Sequence, residues 1–409
     1  MVMVMKEKKV KISFLGDIMC EKPFLDAAKK RDGSYEFSTA FKGMKEICSQ
    51  SDYVVANLET PFAGKDKGYT NEFYLFNTPD SFAKAVKEMG ISVVTTANNH
   101  CCDRGLDGVR RTIDILDEYK IPHVGTYKSS DEDRIFCCTV GGIKIALISC
   151  TSSTNPLRNK CKVTRDNVNL IQKQKTNISL IGNKRKLGTI KDFIIREVIG
   201  DKLYINARKS IGLSPKKIQV DNVIYSDRLE SEIENIIYQI KKAKEKADFV
   251  FVCPHMGGQF NLKPGKFSEY IMNRLVEAGA NAVIASHPHI VQKFEMKNGI
   301  PCAFSLGNVS MSLSTMYILR ENMPEYGIML HLYLTPNYIE KVTFSVIKID
   351  EVSGYLYINP VSSLYETITA DKQEKMKHDV QLIVNRVKKQ EIAIGFEIKD
   401  EYELYSLQV

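Results

Sequence analysis

The first 150 residues alternate short apolar runs with segments of helical period. Residues 10–19 (VKISFLGDIM), 52–58 (DYVVANL), 91–97 (ISVVTTA) and 144–150 (KIALISC) each have the length and Val/Ile content of a buried strand. Between them, Phe82, Ala85, Val86 and Met89 recur at helical spacing, as do Leu106, Val109, Ile113 and Leu116. Strands of this kind alternating with helices predict a sheet covered on both faces, and so an α/β fold.

The alternation lapses from residue 151 to about 226, where Asn, Ser, Lys and Gly clusters surround short apolar islands at 193–195 and 203–205. This stretch reads as an insertion, a β-rich flap that interrupts the βα order. A helix over 227–246 resumes it, with Leu229, Ile233, Ile236, Ile237 and Ile240 on one face. Strands follow at 248–253, 282–286 and 301–305, with a helix over 267–278 between the first two. The end of the chain reads as strands at 342–349 and 355–358, then a charged helix near 371–390. The expected organisation is an α/β domain in two parts, 8–155 and 227–330, split by an insertion over 156–226 and followed by a C-terminal extension over 331–409.

Charge changes this picture in one place. The whole chain carries +8, whereas 156–226 holds 16 Lys/Arg against 5 Asp/Glu, an excess of +11 that leaves the remainder at −3. The basicity therefore belongs to the insertion, which is either a solvated surface segment or a flap that gathers anionic ligands. No nucleic-acid-binding motif accompanies it, so nucleic acid is not expected as a partner. The ten cysteines lack zinc-finger or CxxC spacing, and several lie in apolar runs, as reduced buried thiols do. The apolar start, residues 1–5, is short and is followed by its charges, unlike a signal peptide, and no run reaches the ~20 apolar residues of a membrane span. The expected location is cytoplasmic.

Candidate chemistry gathers where the predicted strands end. The first run carries Gly16-Asp17, the second ends in Asn57-Leu58-Glu59, and the third leads into Asn98-Asn99-His100, with Asp103 and Gly105 following. Later come His255 with Gly257-Gly258, then His287-Pro288-His289, then Ser305-Leu306-Gly307-Asn308. Four of the seven histidines fall in these motifs. In open α/β sheets, ligands bind beyond the carboxyl ends of the strands. Each motif alone has a bland reading, such as an Asp that caps a helix. Together they offer carboxylates, an amide carbonyl and imidazoles, a mixed O/N donor set that suits Mn, Fe or Zn better than Ca or Mg. Two such ions, bridged by Asp17 or Glu59, could clamp the oxygens of a phosphoryl group. His100 could protonate a leaving group while Asp103 orients its ring. Cys101-Cys102 beside it offers soft ligands or simply fills the loop.

In their order, Gly-Asp, Asn-Leu-Glu, Asn-Asn-His-x-x-Asp-x-Gly, His-x-Gly, His-Pro-His and Ser-Leu-Gly-Asn resemble the bacterial capsule-synthesis CapA family. That family is associated with poly-γ-glutamate synthesis and is related to calcineurin-like metallophosphoesterases. The likeness covers roughly residues 10–310. It implies a metallophosphoesterase-like αββα sandwich, here with the basic insertion and a C-terminal β/α extension. It implies two divalent metal ions held by Asp17, Glu59, Asn99, His255, His287 and His289, with His100 as the acid, Asp103 behind it, and Asn57 and Asn308 at the substrate. The chain departs from the pattern twice. Asp17 is followed by Ile18 and Met19 where phosphoesterases carry Asp-x-His, and Gln259 stands where the family's His-Trp-Gly-x-Glu-Tyr has a carboxylate. Two functions follow as expectations: a hydrolase of the phosphoesterase type acting on an anionic polymer or phosphorylated small molecule, or a non-catalytic polyanion-binding part of a membrane-associated synthesis complex.

Overall fold

A computed structural model describes residues 9–71, 75–174, 221–222, 227–315, 318–391 and 395–407. The apolar islands expected at 193–195 and 203–205, and most of the basic insertion, lie outside the described residues.

Among the described residues the first sheet contains nine strands. They are β1 (Val10–Ile18), β2 (Tyr53–Leu58), β3 (Val93–Thr95), β4 (His123–Val124), β11 (Asn308–Ser310), β12 (Tyr326–Leu334), β13 (Ile339–Val352), β14 (Tyr355–Pro360) and β15 (Tyr402–Ser406). Their order is β14-β13-β12-β1-β2-β3-β4, with β11 also on β1 and β15 on β13. The second sheet holds β5 (Phe136–Val140), β6 (Ile143–Thr151), β7 (Phe249–His255), β8 (Ala282–Ile284), β9 (Phe294–Lys297) and β10 (Ile300–Ala303), in the order β5-β6-β7-β8-β10-β9. Strands β1 to β4 run parallel, as do β6, β7, β8 and β10, so within each sheet their carboxyl ends lie along one edge.

Strand alternation decides which residues meet. Ile12, Phe14, Val55 and Val93 of the first sheet share one core with Ile145, Leu147, Phe249 and Phe251 of the second. Phe14 and Phe251 meet edge to face, with ring centroids 5.6 Å apart. On the other side of the first sheet, Val54, Ala56 and Val94 pack on helices α1 (Lys22–Ala28), α2 (Met44–Ser49) and α3 (Ser81–Glu88), and on the far end of α4 (Gly105–Glu118). On the other side of the second, Ala146, Ile148, Val250 and Val252 pack on α5 (Asp227–Lys244) and α6 (Lys266–Glu277). The expected helices over 227–246 and 267–278 thus form close to their predicted limits, because the apolar stripes read from sequence are the faces they bury.

The division expected between 330 and 331 falls inside β12. That strand pairs with β1 on one side and β13 on the other, so β13, β14 and β15 extend the first sheet. The predicted C-terminal helix is α7 (Ala370–Lys388), and its Val380, Ile383, Val384 and Val387 enter the core between the sheets. All ten cysteines are free thiols. No helix among the described residues is long and apolar enough to cross a membrane.

His331, outside every motif, is a structural histidine in the middle of β12. Its Nδ1 lies 2.7 Å from Ser13 Oγ and its Nε2 3.0 Å from Ser345 Oγ, and burial holds its pKa down at about 3, against an ordinary 6.5. The unfolded chain therefore takes up this proton before the folded chain does, and stability falls as pH drops through that window. The limiting slope for one proton is about 1.4 kcal/mol per pH unit. His331→Leu leaves Ser13 its contact with Ser51 and Ser345 its bond to the Asp400 carbonyl. Denaturant unfolding should show the loss of stability on acidification reduced by one proton in this variant. An unchanged slope would mean that His331 is not buried in the neutral form.

Candidate metal centre

The site forms where β1 changes partners. Residues 10–14 of β1 pair antiparallel with β12, but Asp17 and Ile18 pair parallel with Asn308 and Ser310 of β11 on the same edge. Gly16 lies at the switch, and a Cβ there would stand 1.9 Å from the Gly307 carbonyl oxygen. Only glycine lets the two backbones approach so closely. The register also slips between Leu15 and Asp17 against β2, a bulge that turns Asp17 toward the neighbouring strand ends. Those ends supply the rest: Asn57 and Glu59 from β2, Asn98 to His100 after β3, His255 closing β7, His287 to His289 after β8, and Asn308 opening β11.

Asp17 and Glu59 are fully enclosed. Asn57 Nδ2 donates to Asp17 Oδ1 at 2.8 Å and reaches Glu59 Oε2 at 3.5 Å. Asp17 Oδ2 accepts from the His287 backbone N–H at 3.2 Å and lies 3.2 Å from His289 Nδ1. His255 Nε2 is 2.6 Å from Asn99 Oδ1, 3.0 Å from His287 Nδ1 and 3.4 Å from Glu59 Oε1. One ring proton satisfies only one of those three lone pairs. Two buried polar atoms, Glu59 Oε1 and His289 Nε2, have no hydrogen-bond partner, and they lie 3.8 Å apart. Such orphans cost about 1–3 kcal/mol each unless something else meets them.

Electrostatics leads to the same point. Burial pushes the Asp17 carboxyl up, but its contacts with His289 and His255 and the hydrogen bond from Asn57 outweigh it and hold Asp17 well below the usual carboxylate range. Burial, and then Asp17 beside it, push Glu59 well above that range. Burial and the neighbouring imidazoles keep His255 and His287 neutral, with His287 down at about 3. Asp17, Glu59 and His255 form one group whose donor atoms lie within 4.8 Å of one another, and Glu59, His287 and His289 form a second. Glu59 belongs to both, so between the two bridging carboxylates considered from sequence the geometry favours Glu59. Orphaned donors, neutral imidazoles and crowded lone pairs fit a divalent cation with mixed O/N ligands.

Backbone strain marks the same segment. His287 and His289 have φ of 107° and 57°, in the left-handed region that side-chain-bearing residues rarely adopt. Beside the cluster, His100 Nδ1 lies 2.7 Å from Asp103 Oδ2, both side chains buried. Burial pushes the Asp103 carboxyl up, against the opposing pull of His100 and of the Phe76 N–H.

All six residues expected as ligands are thus brought together, with the His100–Asp103 pair alongside. Asn57 and Asn308, expected at the substrate, are buried within the cluster's own hydrogen bonds. Asn57 acts on both carboxylates, and Asn308 Oδ1 sits 3.1 Å from His289 Nδ1 while its Nδ2 donates to the His289 carbonyl. Cys101 and Cys102 pack with Ala97, Val109, Ile113 and Cys161 and belong to neither donor group, so they fill the core beneath the loop. Sequence reasoning missed two contributors, Phe76 and Ser286, and gave a third, Asn98, no role. Phe76 donates its N–H to Asp103 Oδ2 at 2.7 Å and lays its ring against His100, 4.2 Å between centroids. Asn98 Nδ2 donates to the Leu58 carbonyl at 2.7 Å, and Ser286 Oγ is 2.9 Å from His255 Nδ1. Asn98 opens the Asn-Asn-His motif and Ser286 adjoins His-Pro-His, so both could have been given a role. Phe76 stands in a stretch with no pattern to find it by.

The family model described as "Bacterial capsule synthesis protein PGA_cap" matches residues 11–312, and the chain belongs to this family. It is 25% identical to the capsule biosynthesis protein CapA of Bacillus anthracis over 312 residues, which are 74% of this chain and 60% of that protein. It is 24% identical to the PGA biosynthesis protein CapA of Bacillus subtilis (strain 168) over 300 residues, 72% of this chain and 62% of that protein. The match therefore spans about three fifths of these relatives' length. Among solved structures, a hypothetical protein from Thermus thermophilus aligns with a TM-score of 0.38 at 13% identity, covering 86% of this chain and 98% of that one.

Glu59→Gln tests the centre directly. Glutamine copies the shape of a protonated Glu59 but cannot become a carboxylate. The metal-stripped variant should unfold close to the stripped wild type, because burial and Asp17 already push Glu59 toward its neutral form. Its Mn or Zn content after reconstitution, measured by elemental analysis, should fall to background. Full metal content in Glu59→Gln would remove Glu59 from the ligand set.

Proposed function

We propose that this chain is a metal-dependent hydrolase of the phosphoesterase type, working in capsule or poly-γ-glutamate synthesis on an anionic polymer or a phosphorylated precursor. The observation that carries this reading is the pair of donor groups sharing Glu59 with the buried His100–Asp103 pair beside them. The two facing sheets with helices outside are read as the metallophosphoesterase-like αββα sandwich. The excess of Lys/Arg in the insertion favours an anionic partner, and the family's association with capsule polymers agrees with it.

Asp17, Glu59, Asn99, His255, His287 and His289 would hold two divalent ions, Mn, Fe or Zn. Bound there, the metal supplies Lewis-acid polarisation of a phosphoryl oxygen and neutralises developing charge. The protein's own residues supply orientation and a proton. Asn57 fixes the Asp17 carboxylate, and the Asn308 side chain holds the His289 segment from beneath. Asp103 fixes the His100 ring through Nδ1, and Phe76 walls one face of it. His100 Nε2 is then the atom that passes a proton to the leaving oxygen, a step worth ~10²–10⁴ in rate.

One observation favours a second reading, a non-catalytic component that binds a polyanion. Where phosphoesterases place a histidine beyond the first Asp, Ile18 and Met19 are completely buried in the apolar core, so β1 brings only Asp17 to the cluster.

The two readings separate by experiment. The purified wild type should carry Mn, Fe or Zn, His287→Ala/His289→Ala should lose it, and His100→Ala should keep it while phosphodiester turnover falls by about 10² or more. A metal-loaded wild type inert on phosphoesters and γ-glutamyl substrates, yet retaining poly-γ-glutamate on a column, would support the binding component. No metal in the wild type even after reconstitution would end the hydrolase reading.

A further inference from the structure

The family match ends at residue 312, yet a side chain far beyond it reaches back to the ligand segment. Arg386 sits in the last turn of α7, and its Nη1 donates to the Val291 carbonyl at 3.2 Å and the Asn322 carbonyl at 3.3 Å. Among the described residues it makes no ion pair. Desolvation without a carboxylate lowers its pKa. A half-buried guanidinium satisfied only by main-chain oxygens is costly to keep, which asks what those oxygens do.

Both belong to the support of His287-Pro288-His289. Val291 lies two residues past His289 and bridges to Leu306, in the motif that leads to Asn308. Asn322 Nδ2 donates to the Phe260 carbonyl at 2.6 Å, and the Phe260 N–H donates to the Pro288 carbonyl at 2.8 Å. Gln292, next to Val291, donates through Nε2 to the Asn261 carbonyl at 2.6 Å. Starting from Arg386, one path runs through Val291 to His289, and another through Asn322 and Phe260 to Pro288. They close a ring around the segment whose two histidines are held in left-handed backbone. Strain of that kind persists only where the surroundings over-determine it.

We propose that Arg386 is a positioning residue for the metal centre: the C-terminal helix holds the His287-Pro288-His289 segment in its ligating conformation through this one guanidinium. The inference rests on the metal-centre reading above, and its test is arranged so that the two fail separately. Arg386→Met keeps an apolar stem but loses the guanidinium and both hydrogen bonds, Arg386→Lys keeps one charged donor, and Val384→Ala destabilises the same helix from its buried face while leaving every hydrogen bond of the ring in place.

Two measurements on the full chain decide. In metal-stripped protein, hydrogen exchange followed by mass spectrometry should show peptides covering 286–292 exchanging several-fold faster in Arg386→Met than in wild type. Val384→Ala should speed exchange in α7 but not there. In reconstituted protein, competition with a chelator should show Mn or Zn affinity about tenfold weaker in Arg386→Met, as for other supports of metal ligands, with partial recovery in Arg386→Lys. Wild-type protection of 286–292 in Arg386→Met would overturn the proposal, and so would equal losses in Val384→Ala. If Arg386→Met fails to fold, the same comparison in Arg386→Lys decides. A wild type that binds no metal would sink the metal-centre reading alone, since the exchange result stands without the ion.

Discussion

Everything around the site answers one electrostatic constraint. Two carboxylates, Asp17 and Glu59, are buried side by side, where like charges repel more strongly than they would in bulk water. The two respond unequally: histidine contacts hold the Asp17 carboxyl down, while burial and Asp17 push Glu59 toward its neutral form. Even so, Glu59 Oε1 and His289 Nε2 are left without partners. The local architecture maintains this unfavourable arrangement. The close approach of Gly16 to Gly307, the bulge at Asp17 and the left-handed histidines all give up stability to hold donors at fixed places. A fold tolerates such concentrated cost where it pre-organises a ligand site.

The sequence made the centre legible because its chemistry sits at strand ends. A buried parallel strand reads as a Val/Ile run, its carboxyl end is where the run stops, and polar residues just past several stops invite a common site. Asp17, Glu59, Asn99, His255, His287 and His289 were visible for that reason. Phe76 was not, because it acts through its backbone N–H and its ring face, and neither leaves a sequence signature. Strand β12 was missed although it is almost wholly buried. YGIMLHLYL follows a loop and carries a histidine, and its role as the strand joining β1 to β13 depends on pairing across some 300 residues, which no local pattern encodes. Placing a boundary at 330/331 was the direct consequence.

That strand also changes what the C-terminal part of the chain means. By its position beyond the family's matched region, the segment would pass for an appendage. Here β13, β14 and β15 widen the first sheet, and α7 seals the core between the two sheets. The residues that hold the candidate ligands and those that shut the core are therefore coupled by packing. Arg386 is where that coupling becomes specific, since a directed hydrogen bond fixes a carbonyl more tightly than apolar contact can.

The missing histidine after Asp17 bears on how the two donor groups would divide their work. Glu59, His287 and His289 offer three donors without drawing on β1. The other group has Asp17, His255 and the shared Glu59, with Asn99 adjoining His255. Met19, which stands at the histidine's position, cannot be recruited, because it is packed into the apolar cluster that anchors α1 to the first sheet, and turning it outward would open that core. Asn99 is the remaining neutral oxygen donor, and its carbonyl already points at His255 Nε2. The two positions thus differ in ligand charge and hardness: one is rich in imidazole, the other in oxygen. The asymmetry between the two donor groups follows from a single apolar residue that the core requires.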